Sequence, residues 1–178
     1  MSLDADVADL WQRYDEGDLT AVGATADDRA VLEDFLDALE AGEIRAAEPD
    51  DDGEWRANAW VKRGILLNFG LREIHQYDYG GVTYNDVLPL LDTSGLGDRG
   101  SRNTPDGTVA RRGAHLGDDV IMMSPAFVNI GAHVGDGTLV DSCNTVGSAA
   151  QVGENVKLGA NTLIGGVLEP VESTPVVL

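Results

Sequence analysis

Cysteine is nearly absent from this sequence, since Cys143 is the only one in 178 residues. One thiol excludes an intrachain disulfide framework and a zinc site built from several cysteines. No apolar run approaches the roughly 20 residues that a membrane-spanning helix needs. The amino-terminal stretch MSLDADVADLW has neither the basic nor the apolar region of a secretory leader. We therefore expect a cytoplasmic protein.

Lysine is also scarce, with Lys62 and Lys157 as its two occurrences. The sequence has 31 acidic residues against 12 basic ones, a formal net charge of -19. A surface of this sign repels nucleic acid and anionic membranes, so neither is an expected partner. The acidic side chains also repel one another, which destabilises the folded chain. This repulsion largely vanishes at about 1 M salt, where the screening length is about 3 Å. The composition favours adaptation to a salt-rich cytoplasm; the alternative is an acidic protein without a salt requirement.

Apolar spacing in the first half of the chain predicts helices. Val7, Leu10 and Trp11 share one helical face, and residues 27–44 repeat that spacing. Asp27 or Asp28 is the expected cap of this second helix, and Gly42 its expected end. Residues 58–71 predict a third helix or a helix followed by a strand, whereas residues 74–90 are ambiguous. The Gly- and Asp-rich segment 91–107 indicates a linker, so we place a domain boundary near residue 100, between regions 1–100 and 101–178.

The second half of the chain repeats with a period of six residues. Every sixth residue from Leu116 to Ile164 is aliphatic or methionine, without a slip. The residue two positions earlier is mostly small, and glycine follows several of the apolar residues. These nine apolar positions are Leu116, Met122, Val128, Val134, Val140, Val146, Val152, Leu158 and Ile164.

A period of six is typical of a parallel β-helix, in which each hexad forms one short strand and one turn. Three hexads complete a triangular coil of 18 residues, and coils stack at the spacing of strands in a sheet, about 4.8 Å. Val134 is therefore predicted to lie between Leu116 and Val152. The expected fold is mainly β: a left-handed parallel β-helix over residues 101–178, preceded by a small helical or α+β domain.

Specific motifs in the repeat carry a resemblance to a known family. They are FVNIGA (127–132), VD at 140–141 followed by TVGSAAQVG (145–153), and GGVLEP (165–170). With EWRANAWVKRGILLNF (54–69), they resemble the tetrahydrodipicolinate N-succinyltransferases of the diaminopimelate route to lysine. The resemblance implies transfer of a succinyl group from succinyl-CoA to an amino group, with no permanently bound cofactor. It also implies a homotrimer whose active sites lie in grooves between neighbouring β-helices.

The resemblance assigns roles to two residues of opposite charge. It implies that Asp141 contacts the substrate and takes part in catalysis, and a carboxylate there can accept the proton that an amine must lose before it attacks a thioester. It implies that Arg102, three residues before Pro105, binds the dicarboxylate substrate, since guanidinium binds carboxylate in a bidentate manner. Arg111 and Arg112 are rival candidates for that role. Without the resemblance, Asp141 reads as a solvated turn residue.

Further candidates lie elsewhere in the repeat. Gly166 and Glu169 interrupt the hexads and are candidate site-lining residues, with a simple loop as the alternative. His115 and His133 lie 18 residues apart and should stack outward in adjacent coils. Zinc on such a fold needs three ligands, and His75, the remaining histidine, lies in the first half, so no metal site is predicted. Cys143 is interpreted as a packing residue.

The resemblance further implies additional coils after residue 178, with a catalytic glutamate and most contacts to coenzyme A. We therefore expect this chain to be truncated, or completed by a partner. Two alternatives stay open. One is an N-acetyltransferase acting on the same substrate; the other is a β-helix that is non-catalytic or zinc-dependent.

Overall fold

A computed structural model describes residues 2–178. Three helices come first: α1 (Leu3–Asp15), α2 (Ala26–Ala41) and α3 (Ala59–Gly70). A two-stranded sheet, β1 (Ala47–Pro49) with β2 (Trp55–Ala57), separates α2 from α3. The third helix is helical throughout, without the strand that the sequence left open. No helix within the described residues is long and apolar enough to span a membrane.

The second helix begins two or three residues earlier than the predicted cap at Asp27 or Asp28 implied. Thr25 is the N-cap, and its side chain accepts a hydrogen bond from the Asp28 backbone N–H. The Asp28 carboxylate accepts in return from the Thr25 backbone N–H, which completes a capping box. The prediction that Asp27 or Asp28 caps this helix was therefore wrong, because the cap lies two or three residues earlier. Gly42 ends the helix in the left-handed conformation, as predicted.

The ambiguous segment after α3 forms an antiparallel hairpin of β3 (His75–Tyr79) and β4 (Val82–Asp86). Gly80 and Gly81, both at positive φ, make its two-residue turn. Most residues of both strands are exposed. The hairpin buries no face, and this is why its sequence lacks a clear apolar alternation. A short 3-10 helix, Leu96–Arg99, then leads into the repeats.

The repeats form a triangular prism with three parallel sheets, and the registers are those of a left-handed β-helix. Val134 pairs with Leu116 on one side and Val152 on the other, so the predicted 18-residue ladder is confirmed. We name the sheets by their outward residues: the histidine face, the Arg102 face and the third face. The histidine face comprises β7 (His115–Leu116), β10 (His133–Val134) and β13 (Gln151–Val152). The Arg102 face comprises β5 (Arg102–Asn103), β8 (Ile121–Met122), β11 (Leu139–Val140) and β14 (Lys157–Leu158). The third face comprises β6 (Thr108–Ala110), β9 (Ala126–Val128), β12 (Asn144–Val146) and β15 (Leu163–Ile164).

The prism interior holds the nine hexad residues, which form one core together with small residues such as Ala114 and Ala132. A second core lies among the helices, and it includes Ile130 and Ala149 from the β-helix. The helical region therefore packs directly on the prism. The domain boundary near residue 100 stays a prediction.

The histidine face is the side on which the helical region docks. His115 Nδ1 lies 2.8 Å from the Glu40 carbonyl at the end of α2. Arg45 Nε donates to Gln151 Oε1 at 2.9 Å. The outward residues of this face are therefore covered by the same chain, whereas Arg102 on the second face and Leu163 on the third are exposed.

Candidate functional site

Asp141 directly follows β11, at the corner where the chain turns from the Arg102 face to the third face. Its backbone N–H donates to the Leu158 carbonyl of the next coil at 3.1 Å. Its Oδ1 accepts from the Ser142 backbone N–H at 2.7 Å, which orients the carboxylate. Within residues 2–178 the carboxylate forms no ion pair. Its second oxygen is thus available to a ligand.

Arg102 stands on the same face as Asp141. It pairs with Ile121, and Ile121 pairs with Leu139, two residues before Asp141. The guanidinium is therefore attached two strand spacings from the Asp141 coil, roughly 10 Å along the prism. Arg102 is exposed and makes no ion pair with any residue that the structure describes. A cation and a carboxylate on one face, this far apart, can hold the two ends of an amino dicarboxylate.

The rival arginines have structural partners. Arg111 donates to both carboxylate oxygens of Asp86 at 2.6 Å and lies over the Phe69 ring at 5.0 Å. It ties the hairpin and α3 to the prism. Arg112 pairs with three acidic residues of α2, Glu33, Asp37 and Glu40. Binding a substrate with either would break these pairs, and this favours Arg102.

Gly166 and Glu169 lie at a different corner of the prism. They belong to residues 166–175, here called the excursion loop, which leaves the third face after β15. The chain returns at Val177, which pairs with Gln151 after 26 residues instead of the usual 18. The loop thus adds eight residues without disturbing the stacking register. Gly166 packs on the Gly147–Ser148 backbone, where a Cβ would clash, and Glu169 is exposed.

Lys62 holds the excursion loop against α3, a role that sequence reasoning missed. Its ammonium donates to the carbonyls of Pro170 at 3.0 Å and Ser173 at 2.7 Å. The side chain is buried, and burial lowers the pKa of Lys62. The available signal was a lysine inside an apolar helix, in a chain with two lysines. The structure therefore places Asp141 and Arg102 on one face of the prism. Gly166 and Glu169 lie in the excursion loop at a different corner.

A shallow cavity of about 200 Å³ adjoins the Asp141 corner. Its lining includes Pro125, Phe127 and Cys143. Cys143 is exposed and adopts a positive φ of 61°, so its interpretation as a packing residue was wrong. The turn, not the core, determines its position.

The His115 and His133 rings stack with centroids 4.2 Å apart and planes inclined by 16°, as predicted from their spacing. Burial, the neighbouring His115 and the Arg45 charge together lower the pKa of His133 to about 3. Burial also lowers the pKa of His115. Among residues 2–178, no group of three histidine, cysteine or acidic side chains is arranged to hold a metal ion. The stack serves as a neutral packing surface beneath the helical region.

Comparison with known proteins agrees with this architecture. Residues 2–71 match the family model described as tetrahydrodipicolinate N-succinyltransferase N-terminal. Three relatives are each named 2,3,4,5-tetrahydropyridine-2,6-dicarboxylate N-succinyltransferase. The one from Histophilus somni is 40% identical over 165 residues, which is 90% of this chain and 59% of the relative. The one from Ralstonia nicotianae is 43% identical (97% of this chain, 62% of the relative), and that from Polynucleobacter asymbioticus 41% (97% and 63%).

The chain spans about three fifths of the length of the curated relatives it matches. The family match begins at residue 2, well before the segment 54–69 that carried the resemblance in this half. Helical region and prism are both included in the matched length. The chain is thus related by sequence, over nearly all of its own length, to the tetrahydrodipicolinate N-succinyltransferases.

Proposed function

We propose that this protein transfers a succinyl group from succinyl-CoA to the amino group of tetrahydrodipicolinate, a step of the diaminopimelate route to lysine. The observation that carries the proposal is identity of 40–43% to relatives of that name across 90–97% of the chain. The geometry supports it, because Asp141 and Arg102 stand on one face with their charges available. Succinyl-CoA is a co-substrate that arrives and leaves in each cycle.

Asp141 is proposed to prepare the nucleophile. The substrate amine arrives protonated, and the carboxylate accepts its proton and leaves the nitrogen lone pair free. The nitrogen then forms a bond to the thioester carbonyl carbon, and the carbon–sulfur bond breaks. Coenzyme A departs as a thiolate, which takes up a proton. The hydrogen bond from the Ser142 N–H keeps one carboxylate oxygen fixed, so the other faces the amine.

Arg102 is proposed to bind a carboxylate of the substrate about two strand spacings from Asp141. A planar guanidinium can donate two parallel hydrogen bonds to one carboxylate, and this fixes the distance between the substrate's anchored end and its amine. Replacement by lysine keeps the charge but loses the paired geometry. Arg102→Lys is therefore expected to raise KM for the dicarboxylate substrate with a smaller change in kcat, whereas Arg29→Lys on α2 leaves both unchanged.

We further propose a homotrimer in the cytoplasm of a salt-adapted cell. The Arg102 face and the third face carry outward apolar side chains, including Phe127, Leu139 and Leu163, and Leu163 is 73% exposed. Burying such side chains against a neighbouring prism stabilises an assembly. In that arrangement, Gly166 and Glu169 of one protomer would line the groove that contains Asp141 of the next.

The test is thiol release from succinyl-CoA in molar KCl, with and without tetrahydrodipicolinate. Release that depends on both substrates is expected, and acetyl-CoA should be a poorer donor. Asp141→Asn should abolish it while the circular dichroism spectrum stays unchanged. Asp118→Asn, an exposed corner aspartate elsewhere on the prism, is the matched control and should keep activity. Absence of release from folded protein, or full release by Asp141→Asn, would contradict the proposal.

A further inference from the structure

Arg45 differs from the other half-buried arginines of this protein. The other five, Arg13, Arg63, Arg72, Arg111 and Arg112, each form an ion pair with at least one carboxylate. Arg45 forms none with any residue between Ser2 and Leu178. Removing a guanidinium from water without a carboxylate is unfavourable, and acidic residues are abundant in this chain. The Arg45 guanidinium is therefore a candidate binding group for an anion from outside the chain.

The Arg45 guanidinium is held in a fixed orientation. Its Nε donates to Gln151 Oε1 at 2.9 Å. Its plane lies near the Trp55 indole, with Cζ 5.2 Å from the ring centroid. These contacts leave the two terminal nitrogens without a protein acceptor in the described residues. The charge of Glu48 acts on Arg45, but the Glu48 carboxylate accepts its hydrogen bond from the Asn58 side chain at 2.7 Å.

A cavity of about 520 Å³ opens beside this guanidinium, at the corner between the histidine face and the Arg102 face. Arg45, Trp55 and His133 form one part of its lining, and Asp136 and Glu154 another. Neither carboxylate forms an ion pair with a described residue, and both residues are exposed. Arg45 is the one cationic side chain in the lining, because the low pKa of His133 leaves that ring neutral. The cavity thus offers separated charges of opposite sign and a flat indole.

We propose that this cavity binds a small zwitterion, a molecule with a carboxylate and an ammonium group joined by a short aliphatic chain. The carboxylate accepts from the free nitrogens of Arg45, the methylenes lie against Trp55, and the ammonium lies between Asp136 and Glu154. The site is at a different corner from Asp141, so the proposal does not rest on the acyltransferase activity. Its readout is binding, not turnover.

The experiment is isothermal titration with three probes of equal chain length: 6-aminohexanoate, hexanoate and hexylamine. The titrations use the lowest KCl concentration at which the protein is folded, because salt screens both charged ends. The zwitterion is expected to bind at least about ten-fold more tightly than either singly charged probe. Equal affinity for the three probes, or no binding of 6-aminohexanoate up to about 10 mM, would overturn the proposal.

Two variants assign the two ends. Arg45→Gln is expected to lose the zwitterion, and Arg29→Gln, an exposed arginine on α2 without an ion pair, is the control that keeps it. Glu154→Gln alters an exposed side chain with no hydrogen-bond partner among the described residues, so folding should be unaffected. It should weaken the binding of 6-aminohexanoate and leave the affinity for hexanoate unchanged. Unchanged affinity in either Arg45→Gln or Glu154→Gln would refute the corresponding contact and, with it, the zwitterion.

Discussion

Thr138 gives the sharpest test of how the prism is held together. Its side chain is buried at the corner before β11, two residues before Val140. Its hydroxyl donates to the Gly153 carbonyl at 2.8 Å and accepts from the Val156 N–H at 3.1 Å, so one oxygen joins two positions of the next coil. Thr138→Val keeps the shape and leaves both backbone groups unpaired. The isosteric change therefore isolates the hydrogen bonds.

The expected cost follows from the two groups. Each buried backbone group left without a partner costs about 1–3 kcal/mol, and the added methyl recovers about 0.8 kcal/mol. Thr138→Val should therefore lower the free energy of unfolding by about 1–5 kcal/mol. For a chain of this size that is a fall in Tm of roughly 2–20 °C. Urea unfolding at fixed protein concentration measures the difference, since assembly makes stability depend on concentration.

Two controls separate the hydrogen bonds from packing. Thr145→Val changes the same atoms on the outward side of β12, where the hydroxyl has no hydrogen bond within the described residues, and should cost little. Thr138→Ser keeps the hydroxyl and loses about 1 kcal/mol of buried methyl. If Thr138→Val costs no more than Thr145→Val, or if Thr138→Ser costs as much as Thr138→Val, the reasoning is refuted.

Three further predictions concern charge. Burial lowers the pKa of His133 from its ordinary 6.5 to about 3, so folding stability should fall as pH drops from 6.5 toward 3. His133→Phe should reduce that slope of Tm against pH, and an equal slope in the variant would contradict the assignment. The Arg13 guanidinium holds the pKa of Asp28 well below its usual range, so the carboxylate stabilises the fold above about pH 4 and this stability is lost on acidification. Asp28→Asn should therefore lose about 1–3 kcal/mol at pH 7, and the gap to the unaltered protein in urea unfolding should narrow by pH 3. Finally, Tm should rise between dilute and about 1 M KCl, because the screening length falls and the acidic side chains repel each other less. A Tm that does not change with KCl concentration would contradict the salt-adaptation hypothesis.

The prism could be predicted from sequence because its interior accepts an apolar side chain at one position in six. Any slip would place a polar residue inside, so the pattern from Leu116 to Ile164 is strict. The positions two residues earlier were described only as small. At Thr138 and Asn144 they are also polar bridges: Asn144 donates to the Leu158 carbonyl and accepts from the Thr162 N–H. A hydrogen bond between a side chain and the backbone of the next coil produces no recognisable pattern in the local sequence.

The docking of the helical region on the histidine face could not be predicted from the sequence either. Spacing alone predicted that His115 and His133 would stack, but not that α2 would lie over them. The contact of Arg45 with Gln151 joins residues 106 positions apart, and no periodicity connects them. The resemblance supplied Asp141 and Arg102, and the structure adds that they share a face; their roles stay predictions.

That docking surface has a consequence for the order in which the chain matures during synthesis. Each coil contacts its neighbours at a separation of 18 residues, so coils can be added one at a time as the polypeptide emerges. The helices are made first, yet the surface that completes them includes Ile130, Ala149 and Gln151. Until the third coil has been translated, the nascent helical region exposes to solvent the apolar side chains that later pack on the prism. We expect the chain to be most susceptible to aggregation, and most dependent on chaperones, during this interval and not while later coils are added to the prism.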